Sequence, residues 1–323
     1  MIWGNLSQPK IAVVIPAYRV LKHIDAVLAS IPQSVSYIFV TDDACPEQSG
    51  KHVETTCKDS RVKVLFHQVN QGVGGAVMTG YQAALETDAN IVVKVDGDGQ
   101  MDLAQLPKLI APILAGKADY TKGNRFNSVE ALEKMPRVRI FGNAVLSLMN
   151  KFASGLWHIT DPTNGYTAIH TDVLRELSFV KISKGYFFES DLLFRLSLLR
   201  AVVLDVPMNA VYDGEESNLK ISKIIPKFLR GNTLNLYKRI FYQYYLREWS
   251  AASFELPLGL LLVIFGFVSA VVTWITGIGK TTPAPAGTVM LAALPLIVGI
   301  QLLLAFINFD VESAPRNPRH IEN

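Results

Sequence analysis

Cysteine is scarce in this chain: two occur in 323 residues, Cys45 and Cys57. So sparse a pair builds no disulfide framework, and both are expected as reduced thiols of a cytoplasmic domain. Charge of either sign is thin too, with 31 Lys and Arg against 28 Asp and Glu and a formal net charge of +3. That excludes the strongly basic character of nucleic-acid binders, and no basic-aromatic patch lies outside the segment just before the apolar C-terminal part. The six histidines show no metal-ligand spacing. Met1 to Lys10 holds no apolar h-region, so no signal peptide is expected there. Neither a repeat nor a low-complexity segment is present.

What the chain has in excess is apolar residues, 50% of the total, with a mean hydropathy of +0.25. The excess sits near the C-terminus. Leu256 to Gly279 carries no charge, nor does Thr281 to Phe309 beyond Lys280. Each run exceeds the roughly 20 residues that span a bilayer core. Pro257, Pro295 and the glycines are tolerated in membrane helices. The short link between the runs makes them a helical hairpin. Lys220 to Arg247 holds seven Lys or Arg and no acid, and Arg316 and Arg319 follow the second run. Flanking cations mark the cytoplasmic side, so both termini are expected in the cytoplasm. Lys223, Lys227 and Arg230 share one helical face, with Ile224, Phe228 and Leu229 on another. Tyr242, Tyr245 and Trp249 follow, as in an amphipathic segment at an anionic leaflet. The other reading is a helix packed on the domain before it.

Residues 1–220 alternate apolar strands with helical segments, the pattern of an α/β domain with a mostly parallel sheet. Strands are expected at Ile11–Ile15, Tyr37–Thr41, Val62–His67, Ile91–Val95, Tyr120–Lys122 and Val202–Val206. Ligands of such sheets bind beyond the carboxyl ends of the strands. There the unusual residues fall: Pro16-Ala17-Tyr18, Asp42-Asp43, Asn70 to Gly75, and Asp96-Gly97-Asp98-Gly99-Gln100. In the last, two carboxylates and an amide offer hard oxygen donors to Mg²⁺ or Mn²⁺. Asp and Gly are also ordinary turn residues, so a turn and a cation site both stand at this point.

Taken together, these motifs resemble family 2 glycosyltransferases of the GT-A fold, and most closely the group acting on polyprenol phosphates. The resemblance covers about Lys10 to Lys220. It implies a GT-A catalytic domain at 1–220, a juxtamembrane amphipathic segment at 221–250, two transmembrane helices at 251–309 and a cytoplasmic tail at 310–323. The family's V-D-D-G-S appears as Thr41-Asp42-Asp43-Ala44-Cys45, with Gly and Ser replaced. Its N-x-G-x-G-x-A appears as Asn70-Gln71-Gly72-Val73-Gly74-Gly75-Ala76. By resemblance, Pro16, Ala17, Tyr18, Asp42 and Asp43 would hold the nucleoside, with Gly72 and Gly74 lining the nucleotide site. Asp98 and Gln100 would be the direct metal ligands, and Asp96 would lie nearest the nucleotide-sugar. Arg125, of Gly123-Asn124-Arg125, and Arg139 would grip the acceptor phosphate. Asp161, of Asp161-Pro162-Thr163-Asn164-Gly165-Tyr166, would face the donor sugar. Val211 stands where relatives often place a diphosphate-binding Arg, a task left to Lys220.

The resemblance implies a metal-dependent, inverting hexosyltransferase of the bacterial inner membrane. It would move a sugar from a UDP- or GDP-linked donor to a polyprenyl phosphate. Nucleic acid is no partner, and a homo-oligomer stays open. One rival reading takes a glycan hydroxyl as acceptor, with Asp191 or Glu189 as general base. A rival of another class is a nucleotide-sugar-binding membrane scaffold without chemistry.

Overall fold

The computed structural model describes residues 9–126, 137–208, 221–278 and 282–322. They form two compact units. One holds the described residues up to Leu236 together with those from Pro315 onward; the other is Tyr237–Ala314.

The first unit is built on seven strands: β1 (Ile11–Ala17), β2 (Tyr37–Asp42), β3 (Val62–Phe66), β4 (Ile91–Lys94), β5 (Tyr120–Asn124), β6 (Thr167–His170) and β7 (Val203–Pro207). Their order in the sheet is β3-β2-β1-β4-β6-β5-β7. All pairs are parallel except those of β6, which runs antiparallel to both β4 and β5. The β-branched runs read from the sequence are these strands, with β6 added.

Helices cover both faces because alternate residues of each strand point to opposite sides. On one face Val13, Ile15, Ile91 and Val93 pack with α1 (Ile24–Ser30), α2 (Ser49–Thr56) and α4 (Leu106–Leu114). On the other, Ala12, Val14 and Val92 pack with α3 (Val73–Leu85), α6 (Thr171–Glu176) and α7 (Phe188–Leu198). Helix α5 (Arg137–Ser154) lies between β5 and β6 in the chain. The first part of α8 (Ile221–Phe241) lays Phe228 edge-on against Phe187 at 5.3 Å. Ile225 and Leu229 on the same helix are each 53% exposed. One face of α8 therefore packs on the first unit while Ile225 and Leu229 stay exposed.

The second unit is a helical pair, α9 (Ala251–Gly277) and α10 (Ala286–Glu312). Both have mean hydropathy 2.5 over their most apolar stretch, of which only 11% and 17% is buried. A core helix of a soluble protein would be mostly covered. These two are long and apolar enough to cross a membrane. Within this unit Arg239 pairs bidentately with Asp310 at 2.6 and 3.1 Å. Tyr245 meets Trp249 edge-on and Trp249 meets Phe254 at a tilt, with centroids 5.7 and 5.6 Å apart. The short α11 (Arg319–Glu322) closes the chain on the first unit.

Candidate active site

The site gathers at the carboxyl ends of β1, β2 and β4, joined by the loop entering β6 and the start of α7. At the ends of β1 and β2 the turns lock together. The Asp43 amide donates to the Ala17 carbonyl at 3.1 Å, and the Arg19 amide donates to Cys45 Sγ at 3.0 Å. Ala44 has φ +52°, the left-handed region where relatives use Gly. For a residue with a Cβ that conformation costs about 1–2 kcal/mol. Cys45 fills the Ser position as a hydrogen-bonded thiol. Burial pushes its pKa up, but the Ser49 hydroxyl and neighbouring amides outweigh that and leave it below the ordinary cysteine value. Pro16 and Ala17 end β1, and Tyr18 beside them is 44% exposed.

Asp42 and Asp43 are 4% and 2% exposed. Asp42 accepts from the amides of Cys45 (2.7 Å) and Gly50 (2.6 Å), which fixes the entry to α2. Asp43 accepts from His67 Nδ1 (2.7 Å) and from the amides of Gln71 and Gly72 (2.8 Å each). It is the organiser of the Gly-rich turn. Gly72 has φ +85°, and a Cβ there would collide with the Lys184 carbonyl. The Gly74 amide donates to that carbonyl at 2.8 Å. Asp43, Gly72 and Gly74 thus hold the Gly-rich turn against the 183–185 loop.

At the end of β4 the chain makes a turn. Asp98 Oδ1 accepts the Gln100 amide at 3.0 Å, with Gly99 at φ +79°. Asp98 is partly exposed and Gln100 exposed, and the Asp96 side chain is 30% exposed. The turn keeps these oxygen donors at the surface, so a turn here leaves them open to a cation. Among the described residues no three His, Cys, Asp or Glu side chains gather into a metal-binding group. A cation here would hold two carboxylates and the Gln100 amide oxygen and draw its other ligands from water or a diphosphate. That donor set fits Mg²⁺ or Mn²⁺.

Beneath Asp96 lies a buried lysine. Lys94, 1% exposed, donates from Nζ to Asp96 Oδ1 (2.7 Å), Glu189 Oε1 (3.2 Å) and the Gly165 carbonyl (3.2 Å). Burial works against its charge; Asp96 and Glu189 outweigh burial and hold its pKa above that of a free lysine. Lys122 on β5 occupies the same row of the sheet, since Thr167 of β6 is paired with Lys94 on one side and Lys122 on the other. Lys122 donates to the Asn164 carbonyl, and burial pushes its pKa down to about 8. Two lysines thus brace consecutive carbonyls of the 161–166 loop. The sequence reading missed both. The signal was present: a lysine inside an otherwise apolar β-branched run needs buried partners.

Asp161 is fully buried and bound bidentately by Arg125, at 2.8 Å to Nε and 3.0 Å to Nη2. A quarter of the Arg125 side chain stays exposed. The pair fixes the guanidinium. Asp191, 4% exposed, accepts from the Ser183 amide (2.8 Å), Arg195 Nε (3.0 Å) and Asn235 Nδ2 (3.1 Å). It ties α7 to the 183–185 loop and to α8. The structure therefore unites Asp96, Glu189, Lys94 and Gly165, pairs Asp161 with Arg125, and sets Asp191 in separate contacts. Arg139 falls in the first turn of α5, and Val211 and Lys220 lie outside the described residues.

Comparison with known proteins accords with this geometry. Residues 12–178 match the family description "Glycosyl transferase family 2". The chain is 31% identical over 206 residues to the undecaprenyl-phosphate mannosyltransferase of Micrococcus luteus, covering 62% of this chain and 84% of that one. It is 29% identical over 222 residues to the UDP-N-acetylglucosamine–dolichyl-phosphate N-acetylglucosaminyltransferase of Methanococcus voltae, covering 64% and 88%. Glucosyl-3-phosphoglycerate synthase from Mycobacterium tuberculosis, solved with Mn²⁺, UDP-glucose and phosphoglyceric acid, superposes with a TM-score of 0.53 at 19% identity. That match covers 72% of this chain and 79% of that one and shows the shared GT-A fold. By its sheet, its strand-end acids and this match over half its length, the chain belongs to glycosyl transferase family 2.

Proposed function

We propose that this enzyme transfers a sugar, with inversion, from a nucleotide-sugar to a polyprenyl phosphate at the cytoplasmic face of a membrane. The observation that carries the reading is the engagement of both candidate bases. Asp191 is bonded to three donors, and Glu189 is held by Lys94. A hydroxyl acceptor needs a carboxylate to take its proton. A phosphate acceptor is already ionised and needs only to be positioned.

A phosphate oxygen of the lipid attacks C1 of the sugar from the face opposite the nucleoside diphosphate. The C1–O bond to the diphosphate breaks, and its electron pair leaves with the nucleotide. Arg125, oriented by Asp161 and a quarter exposed, is assigned to the acceptor phosphate. Arg139 is assigned to the same phosphate and Lys220 to the donor diphosphate. Tyr18 and the braced Asp42 turn border the nucleoside. Asp98 and Gln100, with Asp96, would hold Mg²⁺ or Mn²⁺, which when bound neutralises charge on the departing diphosphate. Glu189 and Asp96 face the donor side through their common lysine.

Both ends of the apolar pair continue into the one catalytic unit, at Leu236 and at Pro315. That supports a hairpin entering and leaving the membrane on one side, as the flanking cations also indicate. The residue boundaries at 220, 250 and 309 are proposed on the same basis.

The test is a donor screen on the purified full-length chain with polyprenyl phosphate, Mg²⁺ or Mn²⁺, and UDP- and GDP-sugars, reading the lipid product by mass. A sugar-phosphate-polyprenol is expected, with none from the unphosphorylated alcohol. Transfer to a glycan hydroxyl alone supports the first rival. Neither lipid product nor nucleotide release with any donor supports the binding scaffold.

A further inference from the structure

Three segments of the chain meet at a single nitrogen. Lys94 Nζ has three N–H donors as an ammonium and three acceptors around it: Asp96 Oδ1, Glu189 Oε1 and the Gly165 carbonyl. The acceptors come from the end of β4, the start of α7 and the loop entering β6. The register explains why they converge. Lys94 pairs with Thr167, which places Gly165, two residues earlier, beside the ammonium. From the other side the Asp96 carboxylate is confined by the Gly165 backbone, since a Cβ on Gly165 would run into Asp96 Oδ2. Lys94 is 1% exposed and cannot touch a substrate, whereas the Asp96 side chain is 30% exposed.

We infer that Lys94 is a positioning residue for the transfer reaction, its buried ammonium fixing the Asp96 carboxylate against the Gly165 loop and Glu189 in the orientation that meets the donor. The inference rests on the transferase reading above. One oxygen of Asp96 is committed inward to Lys94 and the other is set beside Gly165, so the carboxylate has one orientation rather than a set of rotamers. Arginine does not replace Lys94: its planar fork is larger than the sealed site and cannot aim three N–H groups at these three acceptors.

Removing Lys94 alone would leave Asp96 and Glu189 facing each other and would confuse misfolding with mispositioning. The comparison is therefore made in a Glu189→Gln background. Lys94→Met/Glu189→Gln is set against Glu189→Gln alone, both full-length, measuring kcat, donor KM, melting temperature and the rise in melting temperature with UDP or GDP plus Mn²⁺. The double variant is expected to melt within a few degrees of the single. It keeps its nucleotide-induced rise and a donor KM within about threefold, while kcat falls at least tenfold further. Equal kcat in the two overturns the inference, as does a kcat loss matched by loss of nucleotide binding. If Lys94→Met prevents folding, Lys94→Gln, which keeps two N–H donors, is read in the same way. Wild type run in parallel separates the two claims: a folded wild type without transfer refutes the proposed function, whereas an active wild type with an equally active double variant refutes the role of Lys94.

Discussion

Asp191→Asn distinguishes a structural carboxylate from a catalytic one. The native carboxylate accepts three hydrogen bonds, two on Oδ2 from the Ser183 amide and Arg195 Nε and one on Oδ1 from Asn235 Nδ2. An asparagine can offer its carbonyl to the Ser183 and Arg195 side. Its NH₂ then meets the NH₂ of Asn235, which must turn its own amide to accept. The charge-assisted bond to Arg195 weakens in either case. Hydrogen bonds to charged groups are worth about 1.5–3 kcal/mol, and a buried group left unpaired costs about 1–3 kcal/mol. If Asn235 turns, the net cost is about 2 kcal/mol. In a unit of this size each kcal/mol moves the melting temperature by roughly 2–4 °C. The expected fall is therefore about 4–8 °C.

Activity should respond differently. Transfer to polyprenyl phosphate, per folded molecule, is expected to stay within about threefold of wild type. Donor KM should rise modestly, because the Ser183–Gly185 segment that Asp191 anchors also carries the contacts to Gly72 and Gly74. The assay pairs thermal melting in detergent with radiolabelled sugar transfer at saturating donor. A general base contributes typically 10²–10⁴-fold. Loss of that size at an unchanged melting temperature would refute the reasoning and restore the hydroxyl-acceptor reading.

The same residues show where sequence reading reaches and where it stops. Six of the seven strands were visible as apolar β-branched runs. Thr167–His170 was not, because four residues ending in His carry too little periodicity. Its antiparallel course between β4 and β5 depends on pairing that no local pattern encodes. The acids at the strand ends were legible because ligand sites favour that edge of a parallel sheet. Their employment was not. Asp43 meets Gln71 across 28 residues, Asp161 meets Arg125 across 36, and Asp191 meets Asn235 across 44. A carboxylate in a motif looks the same whether it faces a substrate or braces a turn; only its partners tell. Lys94 is the converse case. Its place in an apolar strand announced a buried charge, and identifying Asp96 and Glu189 as its partners required the fold.

Gly165→Ala puts a methyl group against Asp96 Oδ2 and Lys94 Nζ. Overpacking of this kind costs about 1–3 kcal/mol, and a 1 Å displacement of a positioning group can cost about 10²-fold in rate. A lower melting temperature and at least tenfold lower kcat are expected; kcat within twofold of wild type would show that the close approach has no functional weight. The C-terminal α11 should be fastened more tightly at neutral than at acid pH. The amides of Arg319 and His320 donate to Asp119 at 3.0 and 3.1 Å, His320 Nδ1 reaches the same carboxylate at 2.8 Å, and His320 stacks on His170 at 4.3 Å. Burial, then the neighbouring His320, lowers the His170 pKa below 6.5, with Asp172 and Asp119 opposing and Arg175 adding to the effect. The undocked chain therefore binds a proton at His170 more readily than the docked one, and docking weakens as pH falls through 6.5. Asp119 has the opposite chemistry and the same sign. Burial raises its pKa, but His320 and three backbone amides outweigh burial and hold it below 3.8. Its contribution is complete above that value and disappears only in strong acid. Hydrogen-exchange protection at Arg319 and His320 should drop as pH falls from 7.5 through 6.5, and drop again below pH 3.8. His170→Asn, which can still cap the Asp172 amide, should erase the first step and spare the second. Protection that is flat from pH 7.5 to 5.5 in the native chain would refute the role given to His170.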